Sequence, residues 1–160
     1  MATVWRLTPP AFARALDGEG SKFAAGRWNS SGIALLYTSS HLSLGVLEVF
    51  VNIPPALRDG LDAFEAVRLR IPDDAGTTQI SIGEFAKMLA APEPLGACRV
   101  AGDRFIADAR DLVLAAPSVI VPEELNLMLN PAHPRMGDVA IVSSRRFRFD
   151  PRLLAASRRR

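Results

Sequence analysis

Hydrophobic residues recur along this chain at two spacings, and the spacing changes from one segment to the next. FEAVRLRI (64–71) puts Val67, Leu69 and Ile71 on one side and Arg68 and Arg70 on the other. That period of two predicts a strand with one buried face. TVWRLT (3–8) alternates similarly, and IALLYT (33–38) has the near-continuous apolar run of a buried strand. DVAIVSS (138–144) and RFRFD (146–150) predict two closing strands, and DLVLAAPSVIVP (111–122) a strand interrupted at Pro117. A helix is predicted over SSHLSLGVLEVFVN (39–52), with a serine as N-cap and Pro54–Pro55 as the stop. Shorter helices are expected over PPAFARAL (9–16), EFAKMLAA (84–91) and GDRFIADAR (102–110), the first with proline in its opening turn. APEPLGAC (91–98) reads as a turn-rich connection, and EELNLMLNPAHP (123–134) as a short helix or an extended segment ended by prolines. Strands and helices mixed without regular βαβ alternation predict an α+β fold rather than a doubly wound sheet.

Two segments depart from these patterns. DGEGSKFAAGRWNSSG (17–32) is a long glycine- and serine-rich loop, and loops of that length in compact domains tend to be functional. LGVLEVFV (44–51) sets Glu48 among seven side chains that carry no polar group. A carboxylate left unpaired there would oppose folding, so it is expected at a rim, in an ion pair with an arginine, or in a cleft.

With 160 residues, 49% hydrophobic and 22% charged, the composition is that of a globular chain with a sizeable core. No apolar run approaches the roughly 20 residues that span a bilayer. MATVWRLTPP has no signal-peptide pattern, and the single Cys98 forms no internal disulfide, so a cytoplasmic location away from the membrane is expected. Of the 19 basic residues 17 are arginine, although the net charge is only +2. Arginine suits bidentate phosphate recognition. The terminal SRRR (157–160) is expected to be a frayed basic tail. There is no phosphate-binding loop, no GxGxxG, and no metal-ligand spacing around His41 or His133, so neither a nucleotide-fold oxidoreductase nor a metal site is expected.

GRWN (26–29), LYTS (36–39), LEV (47–49), PSVIVPEELNLMLNPAHP (117–134) and FRFDPRLL (147–154) follow one another along nearly the whole chain. Together they resemble the RES-domain family, bacterial toxins paired with an Xre-like helix-turn-helix antitoxin. The PS…NLxLNPxHP stretch is the specific part of the match; GRWN or LEV alone is a weak signal. The resemblance implies one ADP-ribosyltransferase-like domain over 1–156, α+β with a mixed or antiparallel β core flanked by helices, followed by the 157–160 tail. It also implies an enzyme that consumes NAD as substrate and uses no metal.

Carried over, the family's glutamate falls on Glu48, its serine on Ser118, and its arginine on Arg6 or Arg27. Tyr37 matches the tyrosine of the strand before the glutamate helix, and Asn126 the first asparagine of NLxLN. Cleavage of the nicotinamide–ribose bond passes through an oxocarbenium-like state, which Glu48 would stabilise. Arg6 and Arg27 would bind the pyrophosphate. Tyr37 or Trp28 would stack on the cationic nicotinamide, with Asn29 beside them, and Ser118 and Asn126 would supply neutral hydrogen bonds. Each residue also has a plain structural role open to it: core aromatic for Tyr37 and Trp28, loop pin for Arg27, turn residue for Ser118, helix-end hydrogen bonder for Asn126. The resemblance further implies an antitoxin that covers the NAD entrance near Arg27 and binds DNA for the pair. Homo-oligomer formation is left open. Water, phosphate or a host protein could each accept the ADP-ribosyl group. A competing reading, a non-catalytic partner- or nucleic-acid-binding module, draws on the pI of about 9.2 and the basic tail.

Overall fold

The computed structural model describes residues 2–54 and 63–155. Its strands are β1 (Ala2–Thr8), β2 (Leu36–Ser39), β3 (Phe64–Ile71), β4 (Thr77–Gln79), β5 (Val113–Pro117), β6 (Leu125–Leu129) and β7 (Ala140–Phe147). They form one sheet in the order β4-β5-β6-β2-β1-β3-β7. Only the β4–β5 pair is parallel; the rest are antiparallel. The helices are α1 (Glu19–Lys22), α2 (Leu42–Asn52), α3 (Ile82–Leu89), α4 (Pro94–Asp108) and α5 (Pro151–Ala155). This is the expected α+β class, with a mixed sheet flanked by helices.

The alternation in β3 explains the two faces of the sheet. Val67 and Leu69 are fully buried on one face, with Val4, Leu36, Val113 and Leu129 of neighbouring strands. Ala13, Leu16, Met136 and Val139, from the irregular segments after β1 and before β7, cover that layer. The other face carries two separate apolar clusters. One lies under α3 and α4 and joins Trp28, Phe85, Cys98, Phe105, Leu114 and Met128. The other joins Leu7, Phe64, Ala66 and Phe149 to the apolar side of α2, namely Leu42, Val46, Val49, Phe50 and Ile53. Each large aliphatic buried this way contributes about 1.5–3 kcal/mol. Between the two clusters the face carries polar side chains, and a cleft opens there.

Several elements differ from the sequence expectation. The segment after β1 forms only a 3-10 turn at Pro10–Phe12 instead of a helix over 9–16. α2 starts later than predicted, with His41 at its N-cap and no side-chain cap bond. α3 begins two residues before the predicted start because Ser81 and Glu84 form a capping box. α4 begins inside the stretch read as a connection: Pro94 occupies its first turn, where a missing N–H costs nothing. The 123–134 segment resolves as strand β6, and the two predicted closing strands are one, β7. The basic tail 157–160 lies outside the described residues. No helix among the described residues is long and apolar enough to cross a membrane.

Candidate active site

α2 carries two neighbouring stripes. Its apolar stripe packs on the sheet, while Gly45, Glu48, Val49 and Asn52, spaced i, i+3, i+4 and i+7, line the cleft. Glu48 is therefore at a cleft wall and half-buried. It is not left alone. The Ser118 hydroxyl donates to its Oε1 at 2.9 Å and the Asn126 amide at 2.5 Å. Both donors are neutral, and Glu48 makes no ion pair among the described residues. Of the rim, ion-pair and cleft placements expected for it, the cleft is the one observed, with the carboxylate held by two hydrogen bonds from neutral donors.

The two donors come from opposite ends of one local structure. Asn126 sits in β6 between Ser39 of β2 and Ala116 of β5. Ser39 donates to Asn126 Oδ1 at 3.1 Å, which turns the amide nitrogen toward the carboxylate. Pro117 ends β5, and Ser118 turns the chain: its backbone N–H donates to Glu124, and its Oγ accepts from the N–H groups of Ile120 and Val121. Ser118 is fully buried and fills both roles open to it, turn residue and donor to Glu48. Asn126 lies mid-strand, not at a helix end.

The opposite side of the cleft is the GRWN loop, pinned from two directions. The Tyr37 hydroxyl accepts from the Trp28 N–H at 3.1 Å and donates to Asn29 Oδ1 at 2.7 Å. Burial pushes the Tyr37 phenol up to about 12, against the opposing pulls of the Trp28 N–H and of Arg99 and Arg27. Asn29 is fully buried; it also accepts from Gly26 N–H and donates to the carbonyls of Ser21, Ser30 and Ile33. α4 supplies the second set of pins from one face. Arg99 Nε donates to the Gly26 carbonyl at 2.9 Å, and Asp103 accepts from the Ser30 N–H and hydroxyl at 2.9 and 2.6 Å. Between them Gly102 lets the helix press on Trp28, where any Cβ would overlap the Trp28 carbonyl.

The cleft so formed has a volume of about 470 Å³, within the range of small-molecule sites. Glu48 and Asn126 line it on one side and Arg27, Tyr37 and Arg99 on the other. Arg27 makes no hydrogen bond or ion pair among the described residues, so its guanidinium is uncommitted. Ser118 stands behind Glu48. Three predicted residues are placed differently. Arg6 does not line the cleft; it donates to the carbonyls of Phe12 and Ala15 at 2.9 and 2.6 Å and holds the turn after β1. Burial lowers its pKa, partly offset by Asp17. The Trp28 indole is 2% exposed and stacks on Phe85 at 5.7 Å, so it is a core aromatic and not a free stacking surface. Asn29 is the hub of the loop rather than part of the cleft wall. Ser39, Asn52 and Arg99 were not foreseen, since no local pattern distinguishes them. His133 Nδ1 accepts from the Arg135 N–H, and its other ring nitrogen faces the Arg110 carbonyl.

The RES domain family model matches residues 3–150, and the chain belongs to that family. A protein of Sphingobium sp. (strain YBL2) called Prs ADP-ribosylating toxin is 32% identical over 156 residues, 94% of this chain and 95% of that protein. A Toxin Res from Yersinia enterocolitica is 32% identical over 85% of this chain and 88% of its own length. Another from Pseudomonas putida is 30% identical over 82% and 86%. Among solved structures, the toxin–antitoxin complex MbcT–MbcA of M. tuberculosis superposes with a TM-score of 0.73 at 18% identity, over 98% of this chain and 88% of that one, a likeness of fold.

Proposed function

We propose that this chain is the toxin of a toxin–antitoxin pair and that its cleft breaks the nicotinamide–ribose bond of NAD. One observation carries the chemistry: a carboxylate with no ion pair among the described residues, oriented by two neutral donors, faces two arginines across a small-molecule cleft. In the proposed step the C–N bond breaks and its electron pair leaves with nicotinamide, which becomes neutral. The ribose is left with oxocarbenium character. Glu48 faces that positive charge; at about 4 Å and an effective dielectric near 20 the attraction is on the order of 4 kcal/mol. Hydrogen bonds from Ser118 and Asn126 fix the carboxylate without neutralising it, so the field is in place before the charge develops. Arg27 and the free end of Arg99 hold the pyrophosphate, and the ring of Tyr37 flanks the nicotinamide.

Water or inorganic phosphate then attacks the ribose carbon, which makes the chain an NAD-degrading enzyme that draws on the cytoplasmic pool. A second reading, transfer to a host protein side chain, is favoured by the name of the Sphingobium relative, which this chain matches over nearly its whole length. The partner would be an Xre-like helix-turn-helix antitoxin, which also carries the DNA contacts. Exposed Val51, Leu95 and Val119 at the cleft rim offer it an apolar footing.

The test is to incubate purified chain with NAD and follow nicotinamide and the ribosyl product. Free ADP-ribose indicates water, its 1″-phosphate indicates phosphate, and label on a protein indicates transfer. A chain that releases no nicotinamide under any of these conditions is a binding module, and the proposal fails.

A further inference from the structure

The helix-bearing face of the sheet is covered only in part. α2 seals it over Leu7, Phe64 and Ala66, but farther along β3 toward its C-terminal end the same face is open. The register states what stands there. Arg68 lies between Trp5 of β1 and Ser143 of β7, Arg70 between Thr3 and Ala140, and Arg145 opposite Ala66. Directly opposed residues share a face, so Arg68, Arg70 and Arg145 project from one side together. All three are exposed and none makes an ion pair among the described residues. Arg68 lies over the Trp5 ring at 5.9 Å and Arg145 over the Phe147 ring at 5.9 Å. The acidic residue of β3, Glu65, has the opposite parity and accepts from Ser144 on the other face. Three like charges therefore share a strip of sheet with two aromatic rings and, among the described residues, no ion-pair partner.

Neighbouring exposed like charges repel only weakly through water and salt, but together they favour a polyanion over a single counter-ion. A protein partner is disfavoured, because interface cores are depleted in charge and built on apolar contacts, whereas this strip presents three exposed arginines. Arginines interleaved with aromatic rings on an open sheet suit a backbone of phosphates with unstacked bases. We infer that this end of the sheet binds single-stranded nucleic acid through its phosphates, independently of the NAD cleft on the other side of α2.

Fluorescence anisotropy of a short labelled oligouridylate, titrated with the full chain, tests this. Three phosphate contacts at a slope of about −0.7 each weaken binding roughly twentyfold between about 50 and 200 mM salt. Combining Arg68→Gln, Arg70→Gln and Arg145→Gln should flatten the slope by about two and weaken low-salt binding at least tenfold, without lowering the melting temperature. Each single change should remove about 0.7 of slope, so the inference remains testable if the triple variant folds poorly. Deleting residues 157–160 should leave most of the binding. Unchanged binding in the arginine variants, loss on deleting the tail alone, or equal competition by a duplex or by polyglutamate would each overturn the inference.

Discussion

Tyr37 is the only tyrosine in the chain, so its ionisation can be read without interference. Burial pushes its phenol up to about 12, two units above the ordinary value near 10. An acid whose proton is held more tightly in the folded state stabilises that state while it stays protonated. The contribution is whole below about pH 10 and is lost as pH rises through about 12. Two units correspond to about 2–3 kcal/mol. Phenolate absorbance should therefore rise with a midpoint near 12 in native protein and near 10 in denaturant, and denaturant titrations should show stability falling across that interval. Tyr37→Phe abolishes the alkaline loss but has its own cost. It leaves the buried Trp28 N–H without its acceptor, while Asn29 Oδ1 keeps the Gly26 N–H. One orphaned buried donor costs about 1–3 kcal/mol, a drop of roughly 2–12 °C in melting temperature for a chain of this size. Because these Tyr37 hydrogen bonds hold the loop that carries Arg27, the KM for NAD should rise more than kcat falls. A native midpoint near 10, or a Tyr37→Phe protein that melts with the wild type, would refute this role for Tyr37.

The other expectations concern the same two walls. Ser118→Ala removes a donor to Glu48 and the acceptor of two backbone N–H groups, so thermal denaturation should show a loss of about 1–3 kcal/mol, together with roughly tenfold slower nicotinamide release. Arg27→Ala should weaken NAD binding, measured by calorimetry, with the melting temperature unchanged, since its guanidinium has no internal partner among the described residues. Gly102→Ala drives a methyl into the Trp28 carbonyl; the overpacking should cost about 1–3 kcal/mol or more in denaturant titration and loosen the loop.

Much of the fold was legible because the chain reports faces locally. Period two in 64–71 marks β3 with its observed bounds, and the apolar stripe around Glu48 marks α2. What misled were positions whose meaning depends on a neighbour. Pro94 and Gly96 read as a turn, yet proline is harmless in a first helical turn and α4 begins there. Arg145 reads as a break between two strands, but β7 is a sheet edge and tolerates charge there. The site was legible in type more than in orientation. Glu48, Ser118 and Asn126 come together, and Arg27 and Tyr37 line the facing wall. No periodicity tells that Arg6 bonds to Phe12 and Ala15, that Trp28 turns inward onto Phe85, or that Asn29 ties the loop, because each depends on how irregular chain folds back on itself. Arg99 went unnoticed because one arginine on a helix has no signature until the loop it holds is in place.

In the proposed step Glu48 acts through its charge. Glu48→Gln keeps the size and an oxygen able to accept from Ser118 and Asn126 but deletes the charge. Weakening two hydrogen bonds from charged to neutral costs about 1 kcal/mol each, so the variant should fold and melt only a few degrees lower. Loss of the field on the ribose should cut nicotinamide turnover by about 10²- to 10³-fold with little change in KM. Nicotinamide release and melting temperature measured on one preparation decide the matter: a folded Glu48→Gln protein with near-normal turnover would contradict the account.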